Sequence, residues 1–87
     1  MNYILEPMNE NQEMNCKVKF SGTKAAAAKK AIGIAAALQS QLDGASITCR
    51  VRIAAACDVH YTGEDCGFTA TPVGQLLDGA TGNPIKL

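Results

Sequence analysis

Residues 23–44 read TKAAAAKKAIGIAAALQSQLDG, and this stretch decides how the rest of the chain must fold. Ser21 and Thr23 can each cap a first helical turn, alanine is the strongest helix former, and Gly44 is the residue type at which helices commonly end. A period of 3.6 residues places one set of side chains on a common face. These are Ala27, Ala31, Ile34, Ala35, Leu38 and Leu42, with Ala28 and Ile32 at the edge. The stretch predicts one long amphipathic helix with Leu38 central to its buried face.

The opposite face of this helix carries small side chains with few charges: Ala25, Ala26, Gly33, Ala36, Ala37 and Ser40. Exposed alanines strengthen a helix without contacting anything. A glycine within a helix costs about 1 kcal/mol relative to alanine, so Gly33 indicates a close contact with another surface. Two interpretations stay open: helix propensity alone, or a contact strip for a partner, including a homodimer.

Length and composition limit the classes of protein to consider. The 87 residues are 47% hydrophobic and 18% charged, which predicts a single ordered domain over residues 1–87. Eight basic and eight acidic side chains cancel, so net charge does not argue for nucleic-acid or membrane binding. The opening MNYILEPMNENQEMN has neither a basic n-region nor a long apolar run. We therefore expect no signal peptide, no membrane span and a cytoplasmic location.

Period-two alternation and turn residues predict the strands. Residues 2–6 are prone to β-structure and are closed by Pro7, after which residues 7–15 are predicted to be a polar surface loop. A second strand follows, with its apolar and basic positions alternating: Cys16, Val18 and Phe20 against Lys17 and Lys19. Residues 45–62 alternate for longer than a usual strand, so we expect a bend at residues 54–56.

The C-terminal third of the chain is rich in turn residues. Residues 63–67 predict a turn, and residues 68–71 should return as a hairpin partner. Thr71 followed by Pro72 resembles a helix start, which predicts a short helix at residues 73–78 and a last edge strand at residues 85–87. The whole chain therefore predicts an α+β fold: one long amphipathic helix on an antiparallel or mixed sheet of about four strands, with a short second helix.

The four cysteines first suggest a disulfide framework: Cys16, Cys49, Cys57 and Cys66. Without a secretion signal, a reducing compartment and four free thiols are expected. Three of the cysteines fall on the apolar side of predicted strands, where a thiol packs as a small hydrophobe. Cys66 lies in a predicted turn beside Glu64 and Asp65, whose charges disfavour a reactive thiolate.

A metal or catalytic site would have to use Cys57, His60 and Cys66, with Asp58 or Asp65 as a fourth ligand. The spacing contains no C-x-x-C pair, and Cys57 and His60 point to opposite faces of a regular strand. The chain also lacks the G-x-S-x-G, P-loop and G-x-G-x-x-G motifs. We expect a protein that is not an enzyme and binds no cofactor, with a small metal or redox protein as an alternative.

A basic patch is the remaining candidate. If the helix covers the apolar side of the strands, Lys17, Lys19, Arg50 and Arg52 gather on the other side of the sheet. Long basic side chains on such a face are often only solvated. The functional interpretation is a contact for phosphates or for an acidic protein. Nucleic-acid binding is the weaker form of it, because no aromatic residue for base stacking is interleaved there.

The small size, the opening MNYILEP, and the alanine-rich helix after a polar loop and strand resemble phage-encoded anti-CRISPR proteins. The resemblance covers about the first half of the chain, and no functional residue is carried over from it. The chain differs from the family members that mimic DNA, because its sequence does not predict a strongly acidic surface. The resemblance implies an inhibitor that binds a bacterial CRISPR-Cas effector, a large protein or ribonucleoprotein complex, in the host cytoplasm.

Overall fold

The computed structural model describes residues 2–10, 12–54, 67–79 and 81–86, which contain one helix and a seven-stranded sheet. Helix α1 spans Lys24–Gln41. The strands are β1 (Asn2–Asn9), β2 (Gln12–Glu13), β3 (Val18–Ser21), β4 (Ile47–Ile53), β5 (Gly67–Ala70), β6 (Leu76–Asp78) and β7 (Pro84–Ile85). All pairs of strands are antiparallel, in the order β2-β1-β4-β5-β6-β7, and β3 pairs with the same edge of β1 as β2.

The predicted fold class was wrong in the number of strands and in the second helix. The described residues form seven strands rather than about four, and residues predicted as a short helix contribute β6. Thr71 Oγ1 accepts a hydrogen bond from the Gln75 amide at 2.9 Å, whereas a helix cap would accept from the amide two or three residues later. Gly74 at φ 91° reverses the chain, and the Thr71 amide donates to the Gln75 carbonyl at 2.9 Å. This turn connects β5 to β6.

Pro7 lies inside β1 rather than at its end. β3 pairs with β1 only as far as Leu5, and β2 begins to pair at Met8. Pro7 therefore faces the gap between β2 and β3, where a missing N–H breaks no ladder bond. Its carbonyl accepts from the Met14 amide at 3.2 Å. The predicted loop at residues 7–15 is consequently replaced in part by the ends of β1 and β2.

The predicted long helix is confirmed, but the centre of its buried face is different. Thr23 caps it, accepting through Oγ1 from the Ala26 amide at 3.1 Å. Ala27, Ala31 and Ala35 are completely buried, whereas Leu38 is only half-buried. Small side chains let the helix lie close to β4, and the sheet supplies the large residues of the core. These are Tyr3, Leu5, Ile47, Val51 and Phe68.

Gln39 connects the end of the helix to the start of β4. Its Nε2 donates to the Ala45 carbonyl at 2.7 Å, and its Oε1 accepts from the Ile47 amide at 3.0 Å. A side-chain amide can replace a backbone peptide in this way, because it carries the same donor and acceptor. Gln39 thus fixes the point at which the chain enters the sheet.

Two other predicted elements agree with the structure within the described residues. Strand β5 is the expected hairpin partner of β4, and β7 is the expected last strand, although it begins one residue earlier. Gly67 is needed for the β4–β5 pair, because a Cβ there would overlap the carbonyl oxygen of Val51. Of the bend expected at residues 54–56, the structure describes only Ala54, and residues 55 and 56 lie outside the described residues.

Candidate functional site

The sheet has one face covered by α1 and an opposite face, here called the outer face. The alternation of side chains along paired strands determines which residues lie on it. Glu6 is opposite Arg50, and Ile4 is opposite Arg52. The outer face carries Asn2, Ile4, Glu6, Met8, Lys19, Ser21, Thr48, Arg50, Arg52, Thr69 and Leu77. No described helix packs on this face.

Glu6 is the centre of the outer face and is only 1% exposed. Arg50 Nη2 donates to Glu6 Oε2 at 3.3 Å, and Arg52 Nε donates to Glu6 Oε1. Lys17 Nζ lies 3.8 Å from the same Oε2. A buried carboxylate needs such partners, because removing an isolated charge from water is very costly.

These contacts keep Glu6 ionised. Burial on its own would raise the pKa of the Glu6 carboxyl, but the charges and hydrogen bonds of Arg50 and Arg52 outweigh burial. The pKa is therefore lowered from its usual value. At neutral pH the cluster consists of one buried anion surrounded by three cations.

Arg50 also contacts a second carboxylate. Its Nη2 lies 3.4 Å from Glu13 Oε1 on β2, so one guanidinium bridges β2 and β1. Both side chains of this pair are partly exposed, which makes the pair weak. The Nε of Arg50 is buried and has no hydrogen-bond partner among the described residues, which lowers the net stabilisation from the cluster.

The structure brings the predicted basic residues together, but around a buried carboxylate that lowers the net positive charge of the patch. Lys17, Arg50 and Arg52 surround Glu6, and Lys19 lies on the same face. Sequence reasoning missed Glu6, because it required only that the two strands flanking the helix, β3 and β4, be neighbours or nearly so. In fact β1 runs between them. One glutamate within the apolar run NYILEP was the signal that could have found it.

Lys19 differs from the other three basic residues. Within the described residues it forms no ion pair, and its side chain is exposed. It lies beside an open cavity of about 460 Å³ at one end of the sheet. The cavity is lined by Asn2, Tyr3, Ile4, Lys19, Phe20, Ser21 and Ala54. Asn2, Ile4, Lys19 and Ser21 belong to the outer face, whereas Tyr3 and Phe20 belong to the helix side, so side chains of both faces line the cavity.

The cysteines that the structure describes differ in exposure. Cys49 is completely buried, as predicted, and burial raises the pKa of its thiol to about 12. Cys16 precedes β3 and is exposed, so its predicted inward position was wrong. The predicted strand began at Cys16, two residues before β3 begins at Val18. Cys57 and Cys66 lie outside the described residues.

The proposed metal or redox residues Cys57, His60 and Cys66 lie outside the described residues, together with Asp58 and Asp65. Among the residues that are described, no group of three or more His, Cys, Asp or Glu side chains is arranged to hold a metal ion. The helix within the described part of the chain is not long and apolar enough to cross a membrane. Comparison with protein-family models, curated proteins and solved structures found no match.

Proposed function

We propose that the protein is a non-enzymatic binding protein whose outer face contacts an anionic surface on a large protein or ribonucleoprotein complex. The observation that carries the proposal is the position of Lys19, an exposed ammonium on the outer face that also lines the cavity at one end of the sheet. The outer face carries four basic side chains and two carboxylates. The basic residues are Lys17, Lys19, Arg50 and Arg52, and the carboxylates are Glu6 and Glu13. The face therefore attracts anions even though the whole chain is neutral.

The Glu6 cluster supports this function by holding its cations in place. Free lysine and arginine side chains lose rotational freedom when they bind, and this loss weakens binding. Arg50 and Arg52 are already held by Glu6, so less freedom is lost on contact with a partner. Arg50 is still 37% exposed and can reach an anion on the partner.

A protein surface suits this face better than bases do. Tyr3, Phe20 and Phe68 all lie on the helix side of the sheet, and none of the described strands places an aromatic ring on the outer face. Single-stranded nucleic acids are normally bound by stacking on such rings. Contact with a phosphate backbone, as part of a ribonucleoprotein, remains compatible with the basic residues.

The resemblance to anti-CRISPR proteins supplies the partner to test first, a bacterial CRISPR-Cas effector complex. In this proposal the protein inhibits the effector by occupying a surface that the effector needs. A homodimer through the small-residue strip of α1 is a separate proposal. A Cβ at Gly33 would meet nothing within 4 Å, so this strip is open in the described part of the chain.

The test is a comparison of three immobilised proteins: the wild type, Lys19→Glu and Lys29→Glu. Lys29 is an exposed helix residue, so both variants change the net charge equally. Partners recovered from a lysate of CRISPR-containing bacteria are quantified by mass spectrometry, and purified effector complexes are then tested for inhibition. We expect about tenfold weaker binding for Lys19→Glu alone, from like-charge repulsion at the contact. Equal binding by all three proteins would contradict the proposal.

A further inference from the structure

Strand β3 is at the edge of the sheet, and its backbone groups point in two directions. The Asn2 carbonyl accepts from Ala54 on the β4 side, whereas the Pro7 carbonyl accepts from Met14 on the opposite side. Odd-numbered residues of β1 therefore direct their peptide groups toward β2 and β3. Tyr3 and Leu5 consequently form the hydrogen-bonded pairs with Phe20 and Val18.

The peptide groups of Lys19 and Ser21 then point away from β1, since direction alternates along a strand. Among the described residues, β3 pairs with β1 alone. These outward N–H and C=O groups form a template on which another strand can pair. Addition of an extended segment to such an edge is a recurrent mode of protein recognition.

The side chains of β3 define what such a segment must contain. Val18 and Phe20 are half-buried on the helix side and pack against the core. Lys17 and Lys19 are exposed and lie toward the outer face. A strand added next to β3 would place alternate side chains beside the apolar pair and beside the lysines. The matching segment alternates apolar and acidic residues.

We propose that the edge of β3 binds an extended segment of the partner in which apolar and acidic residues alternate. This inference rests on the proposed function, because it names the part of the anionic partner that is recognised. A second copy of β3 is a poorer occupant, because its lysines would lie opposite those of the first.

The probe is a short fluorescein-labelled peptide of alternating glutamate and valine, added to the whole protein and followed by anisotropy. Two further peptides have the same sequence but carry N-methyl groups on the amides of alternate residues. In one peptide the methylated amides lie on one edge of the strand, and in the other peptide they lie on the opposite edge. We expect saturable binding of the unmodified peptide and about tenfold weaker binding of one methylated form, from lost backbone hydrogen bonds. Binding should also slow amide hydrogen exchange at Lys19 and Ser21.

Protein variants separate the backbone contribution from the charge contribution. Ser21→Pro removes an outward N–H without changing charge, and Ser21→Ala is its control because it keeps that N–H. Lys19→Glu removes the attraction, with Lys29→Glu as the charge-matched control. We expect about tenfold weaker peptide binding for Ser21→Pro and for Lys19→Glu, with little change for either control.

The possible failures are distinguishable. In one case Lys19→Glu weakens peptide binding, but Ser21→Pro does not and both methylated peptides bind as well as the unmodified one. This result would overturn the β3 inference and leave the anionic-partner proposal standing. Binding that none of these changes affects would overturn both. Absence of peptide binding would overturn the β3 inference, and the recovery experiment with Lys19→Glu would then decide the proposed function separately.

Discussion

Arg50 donates to the carboxylate of Glu6 across the β1–β4 pair, with Nη2 and Oε2 separated by 3.3 Å. This ion pair changes how the basic residues of the outer face are interpreted. The arginines that were expected to be free surface charges instead neutralise a buried anion. Their removal therefore affects the fold as well as binding, and Lys19 is the better residue for testing function.

Replacement of Glu6 by glutamine should destabilise the protein. The change removes the charge that accepts from Arg50 and from Arg52, and the Arg52 side chain is only 18% exposed. We expect a loss of about 3 kcal/mol in the free energy of unfolding, measured in urea. Glu13→Gln is the control and should cost less than about 1 kcal/mol, because Glu13 is exposed. Equal effects would show that the cluster does not stabilise the fold.

Stability should fall in acid because of the same residue. The pKa of Glu6 is lowered in the folded protein, so the folded state binds a proton less readily than the unfolded state. This contribution is fully present above the unfolded value of about 4.3 and is lost as pH falls through the lowered folded pKa. Urea unfolding at several pH values should show a smaller acid-dependent loss in Glu6→Gln. An identical pH dependence in both proteins would exclude Glu6 as the cause.

Gln39 should contribute to stability although it is polar and lies near a helix end. Gln39→Leu removes the groups that bond the Ala45 carbonyl and the Ile47 amide. We expect a loss of about 1–3 kcal/mol and faster amide hydrogen exchange at Ile47. Gln41→Leu, at an exposed position of the same helix, is the control. Unchanged exchange at Ile47 would contradict the role given to Gln39.

The alanines of α1 should tolerate enlargement less well than Leu38 tolerates truncation. Ala31 is completely buried against the sheet, so Ala31→Leu forces the helix outward and should cost about 3 kcal/mol, the upper end of the usual range for overpacking. Leu38 is half-buried, so Leu38→Ala should cost about 2 kcal/mol, the lower end of the usual range. Ala37→Leu, on the exposed side, should change stability little. Urea unfolding that ranked Leu38→Ala as the most damaging of the three would restore the earlier view of the core.

The cysteines should react in an order set by exposure. Cys16 is exposed, whereas Cys49 is buried and burial raises the pKa of its thiol to about 12. Iodoacetamide should modify Cys16 in the native protein and Cys49 only after denaturation, as followed by peptide mass spectrometry. Titration of the denatured protein should find all four thiols of the sequence. Modification of native Cys49 at the rate of Cys16 would contradict its placement in the core.

Local signals were sufficient for several elements of this protein. Alanine content, the Thr23 cap and the following glycine predicted the helix, because helix formation depends mostly on neighbouring residues. Strict alternation predicted β4 and the burial of Cys49, because a strand exposes its two faces in turn. The outward side of Lys19, Arg50 and Arg52 followed from the same period.

Tertiary structure decided the rest, because these features depend on residues distant in the chain. Pro7 continues a strand only because its missing N–H faces the gap between β2 and β3. Thr71 begins a turn rather than a helix, because β5 provides a partner for β6. Glu6 is tolerated in the sheet because Arg50 and Arg52, more than forty positions away, bring the opposite charge to it. No local pattern specifies which strands become neighbours, and that adjacency determines the charge and the edges of the proposed binding face.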